Sequence, residues 1–330
     1  MSGSSRGPVY RETPINGGSA EWLARNKLRQ CIESGVRMST QGNDKPSVLV
    51  LGPQNFEMPE TLDAYVDAVP FWKYGDVESS RKVAKGGFRG LVTTGEKKIN
   101  KEFMEELPAL EIISCFGVGY DGIDVEAASQ RGISVTNTPD VLTDDVADLA
   151  VGMVIAARRG IVKGDRYIRE GGWQSEGPMN LANRVHGKVV GIAGLGRIGE
   201  VTAKRFEMFN CDICYYARSD KAVSRYKYCS SLVELARKSD IFVIAMPGGK
   251  ETDKIVNREV IEAVGPEGCI VNVSRGSVVD EDALVKALKE KQVGTAALDV
   301  FRNEPNVSEE LKKISNLVLQ PNTASATWDT

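Results

Sequence analysis

A single histidine, His186, occurs in 330 residues, which leaves little to complete a zinc site. The nearest cysteine pair does not change that. Cys211 and Cys214 lie in Cys-Asp-Ile-Cys-Tyr-Tyr, an apolar run that reads as a strand, where residues three apart point to opposite faces. No second Cys-x-x-Cys follows, and six cysteines over this length are no disulfide scaffold. They read as buried core thiols in a reducing compartment, with the cytoplasm as the expected location. Long apolar stretches are missing as well: the longest, Leu149 to Ala157, is about half the ~18 residues a membrane span needs. Positive charge is not in excess either. Lys and Arg number 42 against 45 Asp and Glu, a balance of −3 that offers nucleic acid no bulk basic field. What remains is a soluble globular chain, 42% hydrophobic and 26% charged, so wholesale disorder is excluded. Its length suggests about two domains of roughly 150 residues each.

Residues 1–45, rich in Gly, Ser, Asn and charge, read as a flexible extension with at most one short helix around Ala20 to Gly35. Its acids and missing apolar core argue against a secretory signal. Order is expected from Ser47-Val-Leu-Val-Leu-Gly52, a short apolar run closed by Gly-Pro. Similar runs recur at Gly90 to Val92, Ile112 to Phe116 and Ile133 to Val135, with helical patterns at Lys101 to Leu107 and Val125 to Arg131 between them. Such alternation predicts a parallel α/β sheet. A long helix is expected over Asp144 to Arg159, then an irregular stretch around Gly171 to Asn183. A second α/β series follows, with strands at Val189–Ala193, Cys211–Tyr216, Ile241–Ala245, Cys269–Val273, Thr295–Leu298 and Leu317–Leu319.

The strongest local motif is Gly194-Leu195-Gly196-Arg197-Ile198-Gly199, which follows an apolar strand and opens a helix. In that context Gly194 permits a tight turn, Gly196 lets the backbone approach a pyrophosphate, and Gly199 lets the helix pack closely on the sheet. About 20 residues on, where an NAD-binding fold places a carboxylate on the ribose 2′-hydroxyl, stand Ala217, Arg218 and Ser219. A guanidinium holds a 2′-phosphate and a carboxylate repels one, so NADP(H) is expected over NAD(H). Asp220 comes too late in the turn to replace the carboxylate.

Four more motifs fall just past strand ends, where ligands bind in open parallel sheets. They are Gly117-Val-Gly-Tyr-Asp-Gly-Ile-Asp124, Met246-Pro247-Gly-Gly-Lys-Glu-Thr252, Asn272-Val-Ser-Arg-Gly-Ser-Val-Val-Asp-Glu281 and Ala297-Leu-Asp-Val-Phe-Arg-Asn-Glu-Pro305. With the nucleotide loop they resemble the D-isomer-specific 2-hydroxyacid dehydrogenases, closest to the hydroxypyruvate/glyoxylate reductase and hydroxyphenylpyruvate reductase branch. The resemblance implies a flavodoxin-like substrate domain over 46–145 and a Rossmann dinucleotide-binding domain over 146–330. It also implies a small 2-oxoacid as substrate and a homodimer built around Asp144 to Asn183, with no nucleic acid or membrane partner. By the same resemblance, the N–H groups of Val118 and Gly119 hold the substrate carboxylate and Arg275 is the catalytic arginine. Glu304 is the catalytic glutamate, and Pro247, Val273 and Asp299 lie on the cofactor side. Taken by itself, Arg275 offers a fork matched to a carboxylate, with a structural ion pair as the plain alternative.

Two departures stand out. The family's proton donor is a histidine in a Pro-His motif held by the glutamate, and here the sequence is Pro321-Asn322. An amide donates a hydrogen bond but gives up no proton at pH 7. His186 precedes the strand whose far end carries the site, so it is expected to be structural. The second departure is at the end: family members continue with a helix that returns to the substrate domain, and this chain stops at Thr330, which predicts exposure of the surface that helix covers. Two readings follow. One is an NADP-dependent reductase of glyoxylate, hydroxypyruvate or hydroxyphenylpyruvate, impaired by Asn322. The other is a catalytically inactive relative that binds NADP(H) or partners.

Overall fold

The structure, a computed structural model, describes residues 45–51, 65–83, 87–95, 97–221 and 224–330. The helix expected near Ala20 lies outside these residues. Residues 44–327 form one compact unit that holds two parallel sheets. The first contains β1 (Ser47–Val50), β2 (Asp67–Pro70), β3 (Phe88–Thr94), β4 (Ile112–Phe116) and β5 (Ser134–Thr136), in the order β2-β1-β3-β4-β5. That is the flavodoxin-like doubly wound order. Short helices α1 (Val77–Arg81), α2 (Lys101–Glu105) and α3 (Val125–Gln130) connect its strands. Each is started by a side-chain cap, from Asp76, Asn100 and Asp124 respectively.

The second sheet follows the long helix α4 (Thr143–Arg159). This helix begins with Asp144 and Asp145, ends with Arg158 and Arg159, and stops at Gly160, whose φ of 63° is left-handed. Charges and cap thus agree with the helix dipole and with a glycine stop. Its buried stripe (Val146, Ala150, Met153, Val154, Ala157) packs into the core of the second sheet. The helix, three residues of which precede the expected division at 145/146, thus packs against the second sheet. Two more helices follow, α5 (Ile161–Arg169) and α6 (Gly172–Glu176), the latter within the stretch expected to be irregular.

Seven strands make the second sheet: β6 (Val189–Ala193), β7 (Asp212–Tyr216), β8 (Lys227–Tyr228), β9 (Ile241–Ile244), β10 (Cys269–Asn272), β11 (Thr295–Leu298) and β12 (Leu317–Leu319). Their order, β12-β11-β10-β9-β6-β7-β8, is the Rossmann arrangement with one added strand. Alternate residues of β9 go to opposite faces. Phe242 and Ile244 join α8 (Leu232–Lys238), α9 (Arg258–Val264) and α10 (Glu281–Lys289) on one side, and Ile241 and Val243 join α4 and α7 (Arg197–Glu207) on the other. A last short helix, α11 (Glu309–Lys312), precedes β12. Cys214 and Cys211 divide between the same two faces, so they make no clamp, and no cluster of metal-ligating side chains occurs among the described residues. The five described cysteines are free and buried. Burial pushes their thiols up, to about 11 for Cys214 and Cys269.

Candidate active site

β6 and β9 leave the sheet side by side, with crossovers on opposite faces, and the glycine loop lies at that switch point. The three glycines have three different surroundings. Gly194 has φ of 101°, and a Cβ there would stand 2.7 Å from Met246 Cα. On Gly199 a Cβ would stand 2.1 Å from the Gly194 carbonyl oxygen, so the helix can approach only without a side chain. Gly196 caps α7, and a Cβ on it meets no protein atom within 4 Å. A nucleotide pyrophosphate fits this arrangement: open space at the middle glycine, beside the N–H groups of a helix start. Leu195 is buried beneath the loop, and Arg197 pairs with Asp140 at 2.7 Å.

Past β7, Ala217 is partly buried while Arg218 and Ser219 are exposed. Asp220 is turned away from them: its Oδ1 accepts the Tyr215 hydroxyl at 2.6 Å, and that hydroxyl accepts the Lys221 N–H. The single acid of this turn is thereby taken up inside the turn.

β10 ends in Asn272, which is fully buried. Its Oδ1 accepts the N–H of Ser274, and its Nδ2 donates to the Arg275 carbonyl at 2.9 Å, a side-chain turn that presents Arg275. The Arg275 guanidinium crosses to the first sheet, where Nε donates to Asp121 Oδ1 at 3.1 Å. It lies against Gly119 so closely that a Cβ there would be 1.7 Å from Nη2. Gly248, just after the exposed Pro247, touches the same group, since its Cβ would sit 2.8 Å from Arg275 Cγ. In the Gly117–Asp124 loop the Val118 carbonyl accepts from Asn137, and the Gly119 carbonyl accepts from the Cys115 thiol. The N–H groups of Val118 and Gly119 donate to no described residue.

Gly276 brings the third loop in, because a Cβ on it would be 1.9 Å from the Phe301 carbonyl carbon. In that loop Glu304 accepts the Phe301 N–H with Oε1 and the Asn322 Nδ2 with Oε2, both at 2.7 Å. Asn322 has φ of 53°, a conformation that asparagine tolerates better than most residues. Asp299, expected on the cofactor side, is 1% exposed and holds the Asn322 loop. Its two oxygens accept the N–H groups of Thr323 and Ala324, and its carbonyl accepts that of Asn322 at 2.7 Å. Burial raises its carboxyl above the ordinary value, against the opposing pull of those donors. Val273 is also buried. His186 meets Asn210 and takes no part in this cluster.

Residues 151–324 match the family model for the NAD binding domain of the D-isomer specific 2-hydroxyacid dehydrogenases. The chain belongs to that family. It is 44% identical to hydroxyphenylpyruvate reductase of Plectranthus scutellarioides, over 86% of this chain and 90% of that one. It is 43% identical to glyoxylate/hydroxypyruvate reductase A of Arabidopsis thaliana over the same shares. A solved NADPH-dependent glyoxylate/hydroxypyruvate reductase from Sinorhizobium meliloti, in complex with NADP and malonate, superposes with a TM-score of 0.78 and 38% identity, covering 87% of this chain and 89% of that one. This dehydrogenase is therefore an oxidoreductase with a nucleotide-binding half. Asp121 and Asn272 were not foreseen as site residues. Asn272 carried a signal, an asparagine at a strand end before Ser-Arg-Gly. Asp121 carried none, since its partner is 154 residues away.

Proposed function

We propose that the protein is an NADPH-dependent reductase of small 2-oxoacids (glyoxylate, hydroxypyruvate or hydroxyphenylpyruvate) to D-2-hydroxyacids, slowed by Asn322. The observation that carries this reading is the meeting of Arg275 with the Gly119 loop. A guanidinium against a loop with unspent N–H groups suits a carboxylate. The named activities of the relatives point the same way.

Gly196 and the start of α7 would hold the pyrophosphate, and Arg218 with Ser219 would hold a 2′-phosphate; the NADPH dependence of the Sinorhizobium enzyme supports this. When bound, the reduced nicotinamide supplies a hydride. Arg275 orients the oxoacid and offsets charge that develops on its carbonyl oxygen. Glu304 fixes the side chain at 322, which supplies a hydrogen bond and no proton. Losing a positioned acid lowers the rate by ~10² to 10⁴.

The test is steady-state reduction of the three oxoacids beside an Asn322→His variant. Histidine tolerates the left-handed backbone at this position. The variant should raise kcat by roughly two to four orders of magnitude and leave NADPH binding alone. An Asn322→His protein no faster than the parent, with fold and NADPH binding intact, would falsify the reading. For the cofactor, NADPH should bind at least about tenfold tighter than NADH, a difference lost in Arg218→Ala.

A second reading, binding without turnover, draws on the closed Glu304–Asn322 bond, which completes the site without a histidine. The homodimer is supported by the arm after α4, which presents Ile161, Ile168, Trp173 and Leu181 to solvent. A monomeric mass at micromolar concentration would refute it. A cytoplasmic location accords with the buried free thiols.

A further inference from the structure

The turn after β7 carries a guanidinium and a carboxylate two residues apart, Arg218 and Asp220, both exposed. Opposite charges this near in sequence attract, yet these two do not pair. Among the described residues the Arg218 side chain enters no ion pair and no hydrogen bond. What holds the acid is a hydroxyl that comes up from inside the sheet. Tyr215, fully buried in β7, packs its ring against Tyr228 of β8, with centroids 5.5 Å apart. The far end of the ring reaches the turn. There the hydroxyl donates to Asp220 Oδ1 at 2.6 Å and accepts the Lys221 N–H at 2.8 Å. One phenol oxygen therefore fixes both the acid and the backbone that follows it.

The start of the turn is fixed as well. The Gly194 N–H donates to the Tyr216 carbonyl at 2.9 Å, which ties the end of β7 to the glycine loop. Arg218 and Ser219 lie between these two anchors. A carboxylate bound to Arg218 would have to be displaced before a 2′-phosphate could use the fork, and a carboxylate left beside it would repel the phosphate. NADH, whose 2′-hydroxyl is uncharged, meets neither obstacle. A released Asp220 thus acts against NADPH alone.

We infer that Tyr215 is a positioning residue for cofactor selectivity: its hydroxyl withholds Asp220 from Arg218 and so leaves the guanidinium to the 2′-phosphate of NADPH. The inference rests on the cofactor reading above and adds to it a buried residue outside the nucleotide loop.

The experiment measures dissociation constants of NADPH and NADH by fluorescence titration of the full chain, parent and variants. Tyr215→Phe removes one oxygen and keeps the ring. Competition from an exposed ion pair is modest, so NADPH should bind this variant about three- to fivefold more weakly, while NADH changes less than about twofold. Rescue separates this role from plain support of the turn. Tyr215→Phe with Asp220→Asn still lacks the hydroxyl but carries no charge, and should return NADPH to within about twofold of the parent. Asp220→Glu carries the carboxylate past the hydroxyl from an exposed position, and should weaken NADPH in the same direction. An unchanged ratio of the two constants in Tyr215→Phe, or in Asp220→Glu should the first variant not fold, overturns the inference. If Arg218→Ala still abolishes the preference in that case, the cofactor reading stands. A loss in Tyr215→Phe that Asp220→Asn does not restore also overturns the inference, because the hydroxyl then holds the backbone and not the charge. If the parent binds NADH as tightly as NADPH, the cofactor reading falls and the inference with it.

Discussion

Two alanine substitutions three residues apart in the nucleotide loop should fail in opposite ways. At Gly199 the new methyl would begin 2.1 Å from the Gly194 carbonyl oxygen, where real contacts of this kind do not fall below 3.0 Å. The loop and α7 must separate by almost 1 Å. Overpacking of this sort costs ~1–3 kcal/mol or more, against a gain of about 1 kcal/mol from replacing glycine inside a helix. A net loss of about 2 kcal/mol corresponds to a fall in Tm of roughly 4–8 °C. At Gly196 the methyl meets no protein atom within 4 Å and φ is an ordinary −85°. Losing glycine as the helix cap costs about 0.5–1 kcal/mol, and the stiffer unfolded chain returns a similar amount, so stability should be unchanged. What the methyl fills is the space proposed for the pyrophosphate. NADPH should therefore bind at least about tenfold more weakly to Gly196→Ala, or ~1.4 kcal/mol. Thermal melts without cofactor and fluorescence titration with NADPH read the two effects separately. A Gly196→Ala protein that binds NADPH like the parent would remove the cofactor from this loop, and a Gly199→Ala protein with an unchanged Tm would show that the crowding is not felt.

Other parts of the fold give further tests. Arg158, 4% exposed, donates to the carbonyls of Arg184, Asp240 and Glu267 at 2.9, 3.0 and 3.3 Å. Arg158→Met leaves these acceptors orphaned and should lower stability by about 3–5 kcal/mol, read as a lower urea midpoint at constant m. Asp240 is pushed up by burial, but the Val189 N–H and Lys188 outweigh this and leave its carboxyl below the ordinary value. Its contribution is therefore present above the unfolded value and lost as pH falls through the lower folded one. Asp240→Asn should be less stable than the parent at neutral pH, with the gap closing in acid; a gap independent of pH in urea titrations rejects the assignment. Asp121→Asn removes the charge that holds Arg275, and for a partly exposed pair of this kind KM for the carboxylate substrate should rise about two- to fivefold at unchanged NADPH affinity. An unchanged KM would show that Asp121 does not hold the guanidinium for substrate.

The central strands were legible because they are continuous apolar runs bounded by turn residues, as parallel strands buried on both faces must be. The edges were not. β2 ends in Pro70 and pairs on one side only, and β8 has two residues, so neither carries a pattern long enough to read. The helix at α6 was missed for a similar reason: five residues after Gly171, with φ of 77°, look irregular. At the site, the glycines, Arg275 and Glu304 stand out in the sequence from their own motifs. Residues that act through the fold do not. The burial of Asp299 and the Asp121–Arg275 pair depend on loops brought together from distant parts of the chain. Asn322 was plain in the sequence, but its bond to Glu304 is one that only the folded loops provide.

The buried thiols have a practical consequence. Cys115 lies in the core of the five-stranded sheet, and Cys211, Cys214, Cys229 and Cys269 lie in the two cores of the seven-stranded one. An alkylating reagent needs an exposed thiolate, and these groups offer neither exposure nor charge while folded. Each cysteine is thus a timer for the opening of its own surroundings. Mass spectrometry after pulses of reagent would assign label to Cys115 or to the other four, and so report whether the two sheets open together or one before the other.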